Sequence, residues 1–286
     1  MSVDNRVALV TDSTSYLPVD LLVGTDIDVV PVQVVVSGRS FDETSDAVST
    51  KRIAEALTAW QPVSTSRPTP ERFRQAFAKA AVEGATGVVC ATLSASMSAT
   101  YESAWLAARE VDIDVRVVDS QSVAMGLGFA VLAGERAARE GADLDAVEQI
   151  VRRRSMQTSI YFSVNTLEYL RRSGRISTAR AAVGQALQVK PILSLRNGEV
   201  VGLERVRTNA KAMARMADLV TDSVHGPVEI AVQHLDAQER AAGLSAELHR
   251  RLPGTAIVQC SIGAVVAAHT GPGIVAAVVS PTGSSI

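Results

Sequence analysis

The sequence predicts a two-domain α/β protein, with an N-terminal doubly wound parallel sheet followed by a C-terminal domain that carries helices on a mixed, partly antiparallel sheet. Three observations carry that reading. Short β-branched runs alternate with segments of helical apolar spacing from Arg6 to about Glu140, the rhythm of a parallel sheet covered by helices on both faces. Several of those runs end in hydroxyl-rich turns, as at residues 11–14 and 92–101, which places polar groups along one edge of the sheet. Further on the rhythm changes, and Asn197-Gly198 stands between two apolar runs, a strong hairpin signal. The domains expected are 1–156 and 157–286.

Residues 6–10 read as the first strand, closed by a polar turn. Residues 28–36 are β-branched enough for a second, and Pro31 points to an edge or an irregular start. Residues 37–49 read as a polar connection, and 50–60 as a helix with Ile53, Ala54, Leu57 and Trp60 on one face. A hydroxyl-rich loop is expected over 64–70. The helix over 71–83 then turns Phe73, Ala76, Phe77 and Ala80 inward, with Pro70 suited to its first turn. Residues 87–91 form a buried strand and 100–110 its helix; 115–119 and 126–140 repeat the pair. The charged helix 144–156 bridges to the second domain. There, strands are expected over 159–164, 191–196, 200–206, 228–234, 256–261 and 274–279, and helices over 167–172, 178–187 and 236–252, with Ser173-Gly174-Arg175 as a turn.

Composition excludes several classes of function. The 28 Lys+Arg against 30 Asp+Glu leave no basic excess for binding nucleic acid. Aromatics at 4% offer few stacking platforms, so the 47% hydrophobic content implies an aliphatic interior. Cys90 and Cys260 lie far apart in apolar runs and read as buried free thiols, without a disulfide framework or a metal site. Asp4, Arg6 and Asp12 interrupt the first apolar run, unlike a signal peptide, and no run of about 18 apolar residues follows. A cytoplasmic protein with no integral membrane segment is the expectation.

The richest candidate stretch is 92–101, where Ser94, Ser96, Ser98 and Thr100 sit between a strand's carboxyl end and a helix's first turn. Such a junction leaves amides unpaired and suits an anionic head group; the plainer alternative is that Ser98 caps the helix. Thr65-Ser66 supplies two more hydroxyls, before Arg67-Pro68. His269 stands in the Gly/Pro turn 267–273, where an imidazole near neutrality suits hydrogen bonding to an anion or proton transfer, or a purely structural bond. Residues 169–176, with Arg205 and Arg207, suit phosphate or carboxylate recognition, or form a solvated basic surface. A serine hydrolase would need Ser98, His269 and Asp12 or Asp119 to converge, and the Gly-x-Ser-x-Gly elbow is absent. Gly-rich phosphate loops and dinucleotide fingerprints are absent too.

Several separated pieces keep a specific order: Thr11-Asp12-Ser13-Thr14, Thr65-Ser66 with Pro68, residues 94–104, Asp119-Ser120, residues 167–176, Lys190-Pro191-Ile192, Arg207, and His269-Thr270-Gly271-Pro272-Gly273. Together they resemble the DegV family of bacterial fatty-acid-binding proteins, over nearly the whole chain. The resemblance implies a two-domain DegV-like fold with one long-chain fatty acid between the domains, its acyl chain in an aliphatic tunnel. The carboxylate would lie near Thr65, Ser98 and His269, with Ser66, Ser94 and Thr100 in the same matching loops. It further implies a partner, the catalytic protein of a fatty acid kinase, which phosphorylates the bound fatty acid to an acyl phosphate. The chain itself would not be an enzyme and would need no cofactor or metal beyond that ligand. Arg175 and Arg207 match positions for kinase docking or phosphoryl transfer and are expected outside the acyl tunnel. Arg67 stands where the family motif has Gln, and Ala95 and Ala99 stand where it has Ser and Gly. The alternative is a serine/histidine-dependent small-molecule hydrolase or acyl transferase built on Ser98 and His269.

Overall fold

The computed structural model describes residues 6–176 and 189–283; the helix expected over 178–187 lies outside them. The chain divides into two compact units, Met1–Gln33 with Ser66–Gln157, and Val34–Thr65 with Thr158–Ile286. In chain order the first half holds β1 (Val7–Asp12), α1 (Val19–Leu22), β2 (Ile27–Val30), β3 (Gln33–Val36), β4 (Arg39–Asp42), α2 (Thr50–Thr58), β5 (Val63–Ser66), α3 (Pro70–Val82), β6 (Gly87–Thr92), α4 (Thr100–Ala108), β7 (Asp114–Asp119), α5 (Met125–Arg139) and α6 (Leu144–Gln157).

The first unit is built on a parallel sheet in the order β2-β1-β6-β7. Every residue of β1 and β6 is buried, as expected of parallel strands covered on both faces. Strand periodicity assigns the two faces: Leu9, Val89 and Ala91 pack with Leu127, Val131, Val147 and Val151 of α5 and α6. On the other side, Ala8, Val10, Val88 and Cys90 pack with Phe73, Phe77 and Ala104 of α3 and α4. This is the doubly wound arrangement that the alternation predicts.

The second unit adds β8 (Ser159–Ser163), α7 (Glu168–Arg172), β9 (Lys190–Arg196), β10 (Glu199–Val206), α8 (Asn209–Asp222), β11 (Val228–His234), α9 (Gln238–Arg251), β12 (Ala256–Ser261), α10 (Ala264–Thr270) and β13 (Val275–Pro281). Its main sheet runs β10-β9-β8-β13-β11-β12. Only β11 and β12 pair in parallel; the other neighbours are antiparallel. Asn197 and Gly198 close the β9–β10 hairpin with φ of 51° and 78°, the left-handed pair of a type I′ turn. Met216, Val220, Leu244 and Leu248 of α8 and α9 cover Ile230, Val232 and Val275 of the sheet.

Three local expectations change. Residues 28–36 are two strands in different sheets, because Pro31 has no N–H to continue a ladder. Residues 37–49 and 64–70, expected as connections, contribute β4 and β5 to a three-stranded sheet ordered β4-β3-β5. These strands are short and polar, and their pairing is visible only once the chain is folded. The expected division into 1–156 and 157–286 treats residues 34–65 as N-terminal, whereas here they form one compact unit with the C-terminal residues. α2 packs on α10, and Glu43 Oε1 accepts a hydrogen bond from Val265 N at 2.7 Å.

Candidate functional site

Strand periodicity decides which hydroxyl of the Thr65-Ser66 pair faces inward. Along β5, Val63 and Thr65 are half-buried while Ser64 and Ser66 are exposed, since successive side chains point to opposite faces. Ser66 Oγ donates to the carbonyl of its neighbour Arg67, at 3.4 Å. His269 lies in the last turn of α10, not within a turn as its Gly/Pro surroundings suggest. Gly271 N bonds Ala267 O at 2.8 Å, and Gly271 and Gly273 take φ of 74° and 85° to carry the chain away.

Thr65 Oγ1 and His269 Nε2 meet at 2.8 Å across 204 positions of sequence. The other ring nitrogen, Nδ1, is buried with no hydrogen-bond partner among the described residues. Burial, and secondarily the nearby Arg175 guanidinium, push the imidazole down to about 4, so it is neutral at physiological pH. With its proton on Nε2, His269 donates to Thr65 Oγ1 and leaves the threonine O–H to donate to a ligand.

The pair lines a cavity of about 460 Å³, with Leu57, Tyr169, Arg172 and Arg175 also in its wall. Arg175, expected outside the acyl tunnel, instead stands in this wall, half-buried, and donates to the Ser173 carbonyl. Arg207 is exposed immediately after β10 and is not part of that wall. A larger cavity of about 960 Å³, lined by Lys51, Glu55, His234, Asp236 and Arg240, contains none of the candidate site residues read from the sequence.

The turn at 92–101 is chemically quieter than its hydroxyls suggest. Leu93 N donates to the buried Asp12 carboxylate at 2.7 Å, Ser94 N to Ser122 O at 2.8 Å, and Ala95 N to Asp119 Oδ1 at 3.1 Å. Ser96 N finds Ser94 Oγ, and both Met97 N and Ser98 N find Ser94 O. The amides expected to await an anion are therefore satisfied from within, because the neighbouring strand ends supply the acceptors. Ser98 Oγ accepts from Thr100 N at 3.3 Å and shares a 2.8 Å bond with the buried Thr100 hydroxyl. It supports the helix start, although Ala99 is the formal cap. Asp12 and Asp119, the acids a hydrolase would need, are both taken up by backbone amides.

Sequence reasoning missed the aromatic wall of the cavity. Trp60, which helical spacing puts on one face with Ile53, Ala54 and Leu57, lies past the helix end with φ of 56°, 62% exposed, stacked on Tyr169 at 5.8 Å between centroids. The signal available was a tyrosine among the charges of 168–172, too weak to single out.

The depressed His269 pKa has a testable consequence. Above about pH 7 the group is neutral folded or unfolded and leaves stability unchanged. As pH falls from 6.5 toward about 4, the unfolded state takes up a proton that the folded state refuses, so stability declines. Denaturant unfolding at pH 7.5 and 4.5 should show a smaller acid loss in His269→Gln than in the parent; equal losses would place His269 in a solvated setting.

Against known proteins, the family model for "uncharacterised protein, DegV family" matches residues 6–282. A DegV domain-containing protein of Streptomyces coelicolor is 46% identical over 277 residues, 96% of this chain and 98% of its own. A DegV family protein from Thermus thermophilus, solved for its fatty acid binding, superposes with a TM-score of 0.90 at 34% identity, covering 96% and 99% of the two chains. DegV from Bacillus subtilis, a fatty acid binding protein, gives 0.87 at 29%, covering 97% and 99%.

Proposed function

We propose, because this chain belongs to the DegV family and pairs Thr65 with His269 in the wall of a cavity, that it binds a long-chain fatty acid and holds the carboxylate at that pair. The hydrogen-bonded pair is the observation that carries the reading: a neutral imidazole backs a threonine hydroxyl whose proton a carboxylate can accept. The fatty-acid binding of the Thermus and Bacillus relatives supports the ligand class. Ser98 is the proposed further hydroxyl donor, with Ser94 and Thr100 holding its turn; Ser66 is exposed and is proposed only as a neighbour of the site.

In this proposal the chain presents the carboxylate to a separate fatty acid kinase. The kinase moves the γ-phosphoryl group of ATP onto a carboxylate oxygen, giving acyl phosphate and ADP. Arg175, in the cavity wall, is the proposed partner of the transferring phosphoryl group, and the exposed Arg207 a docking contact.

Mass spectrometry of an organic extract of the purified protein tests the ligand class, since each buried CH₂ contributes about 0.8 kcal/mol and a long chain survives purification. A stoichiometric fatty acid is expected; a washed protein that neither retains nor takes up oleate would defeat the reading. Removing one hydrogen-bonding partner leaves a polar group unsatisfied at about 1–3 kcal/mol, so Thr65→Val and Ser98→Ala should each weaken oleate binding about tenfold or more by calorimetry. Unchanged affinity in a folded variant removes that residue from the site. Acyl esters incubated without kinase and ATP should show no turnover.

A further inference from the structure

We infer that Tyr169 is the positioning residue of the Thr65–His269 pair, acting through the backbone on both sides of it. The two partners arrive from segments 204 positions apart, and Tyr169 touches the flank of each. Its hydroxyl donates to Leu57 O at 3.1 Å, in the last turn of α2 and a short way before β5. That carbonyl also accepts from Trp60 N at 3.1 Å, so the Tyr169 hydroxyl takes its second lone pair. Its ring stacks on Trp60 at 5.8 Å with an interplanar angle of 11°, three residues ahead of the strand that carries Thr65. It also covers Gly271, two residues after His269, so closely that a Cβ there would lie 2.3 Å from Tyr169 Cδ2.

The column is closed from outside by Arg172, whose guanidinium lies 5.4 Å from the Trp60 ring centroid. Glu43 holds the opposite end of α10 through Val265 N. The helix bearing His269 is thereby pinned at its start by a carboxylate and at its end by an aromatic ring. Of these contacts, only the Tyr169 side chain ties the Thr65 segment to the His269 turn. A ring at this place, itself in the cavity wall, sets the separation of the pair through the backbone it holds on either side.

The test uses the full chain with Tyr169→Leu, Tyr169→Phe and Trp60→Ala. In ligand-free protein, nitrogen-detected NMR reads the His269 tautomer and titration midpoint. Calorimetry with oleate reads the site; this arm rests on the fatty-acid reading. Tyr169→Leu should loosen the pair, raise the His269 midpoint from about 4 toward its ordinary value of 6.5, and weaken oleate about tenfold. Tyr169→Phe keeps the ring and its stack on Trp60 and should leave the His269 midpoint of the ligand-free protein unchanged. Trp60→Ala, at an exposed position, should move both readouts in the direction of Tyr169→Leu by a smaller amount, and serves if Tyr169→Leu fails to fold. A folded Tyr169→Leu or Trp60→Ala with the parent's midpoint and affinity overturns the inference, as does Tyr169→Phe shifting the midpoint as far as Tyr169→Leu. If the parent takes up no oleate, the fatty-acid reading fails, while the ligand-free titrations still decide the role of Tyr169.

Discussion

Arg175→Ala is expected to lower acyl-phosphate formation with a partner kinase and ATP about a hundredfold or more, the scale on which an arginine at a transferring phosphoryl group acts. Fatty-acid affinity should change by about threefold or less, because a carboxylate already served by a threonine hydroxyl gains less from a guanidinium than the phosphoryl group does. The guanidinium stands in the wall of the cavity, anchored to the Ser173 carbonyl after the Gly174 turn at φ 71°. It is also one cause of the neutral state of His269, so its removal should raise that imidazole's titration midpoint in the ligand-free protein. Arg207→Ala, at an exposed position, should instead raise the apparent KM for the kinase pair with little change in maximal rate. Oleate calorimetry beside the kinase assay separates these outcomes. Parallel loss of affinity and phosphorylation in Arg175→Ala would make Arg175 a carboxylate ligand and end its assignment to the transfer step.

Gly273→Ala is expected to destabilise the protein by about 2–5 kcal/mol, combining about 1–2 for a left-handed alanine with about 1–3 for overpacking. Gly273 has φ of 85°, and a Cβ there would lie 1.9 Å from Asn165 Nδ2. Arg240 Nη2 would lie 3.1 Å from the same Cβ, and neither neighbour moves freely: Asn165 Nδ2 donates to Pro272 O at 3.1 Å, and Arg240 Nη2 to Gly273 O at 2.9 Å. Gly273 N is itself committed to Leu235 O at 2.8 Å. Because His269 lies four residues earlier, the same change should weaken oleate binding. Denaturant unfolding gives the stability. Asn165→Ala combined with Gly273→Ala should be less destabilised than the sum of the single variants, since removing the carboxamide relieves the clash and leaves only the backbone strain. A Gly273→Ala protein as stable as its parent would mean that the turn takes another path in solution.

The candidate residues were easier to read than their arrangement. Thr65 and His269 stand out as a hydroxyl and an imidazole beside turn-forming residues, yet neither their 2.8 Å meeting nor Tyr169 between their flanks follows from spacing. The hydroxyl-rich turn at 92–101 misleads for a definite reason. A helix start viewed along the chain has amides without acceptors, and only the packed sheet brings Asp12 and Asp119 to Leu93 and Ala95. β4 and β5 escape notice because residues such as Arg39-Ser40-Phe41-Asp42 carry no apolar alternation, and their strand character comes from partners elsewhere in the chain.

By itself the sequence determined the alternation of buried parallel strands and amphipathic helices in residues 7–139 and the β9–β10 hairpin at Asn197-Gly198. Each depends on local periodicity or on the backbone freedom of a residue at its own position. Tertiary structure alone decided that residues 34–65 join the C-terminal unit, that Trp60 leaves its helix to stack on Tyr169, and that Thr65 binds His269. Those outcomes depend on which surfaces remain to be covered once the local elements have formed. A contact across 204 positions is set by the packing of everything between its ends, and no short window of sequence contains that information.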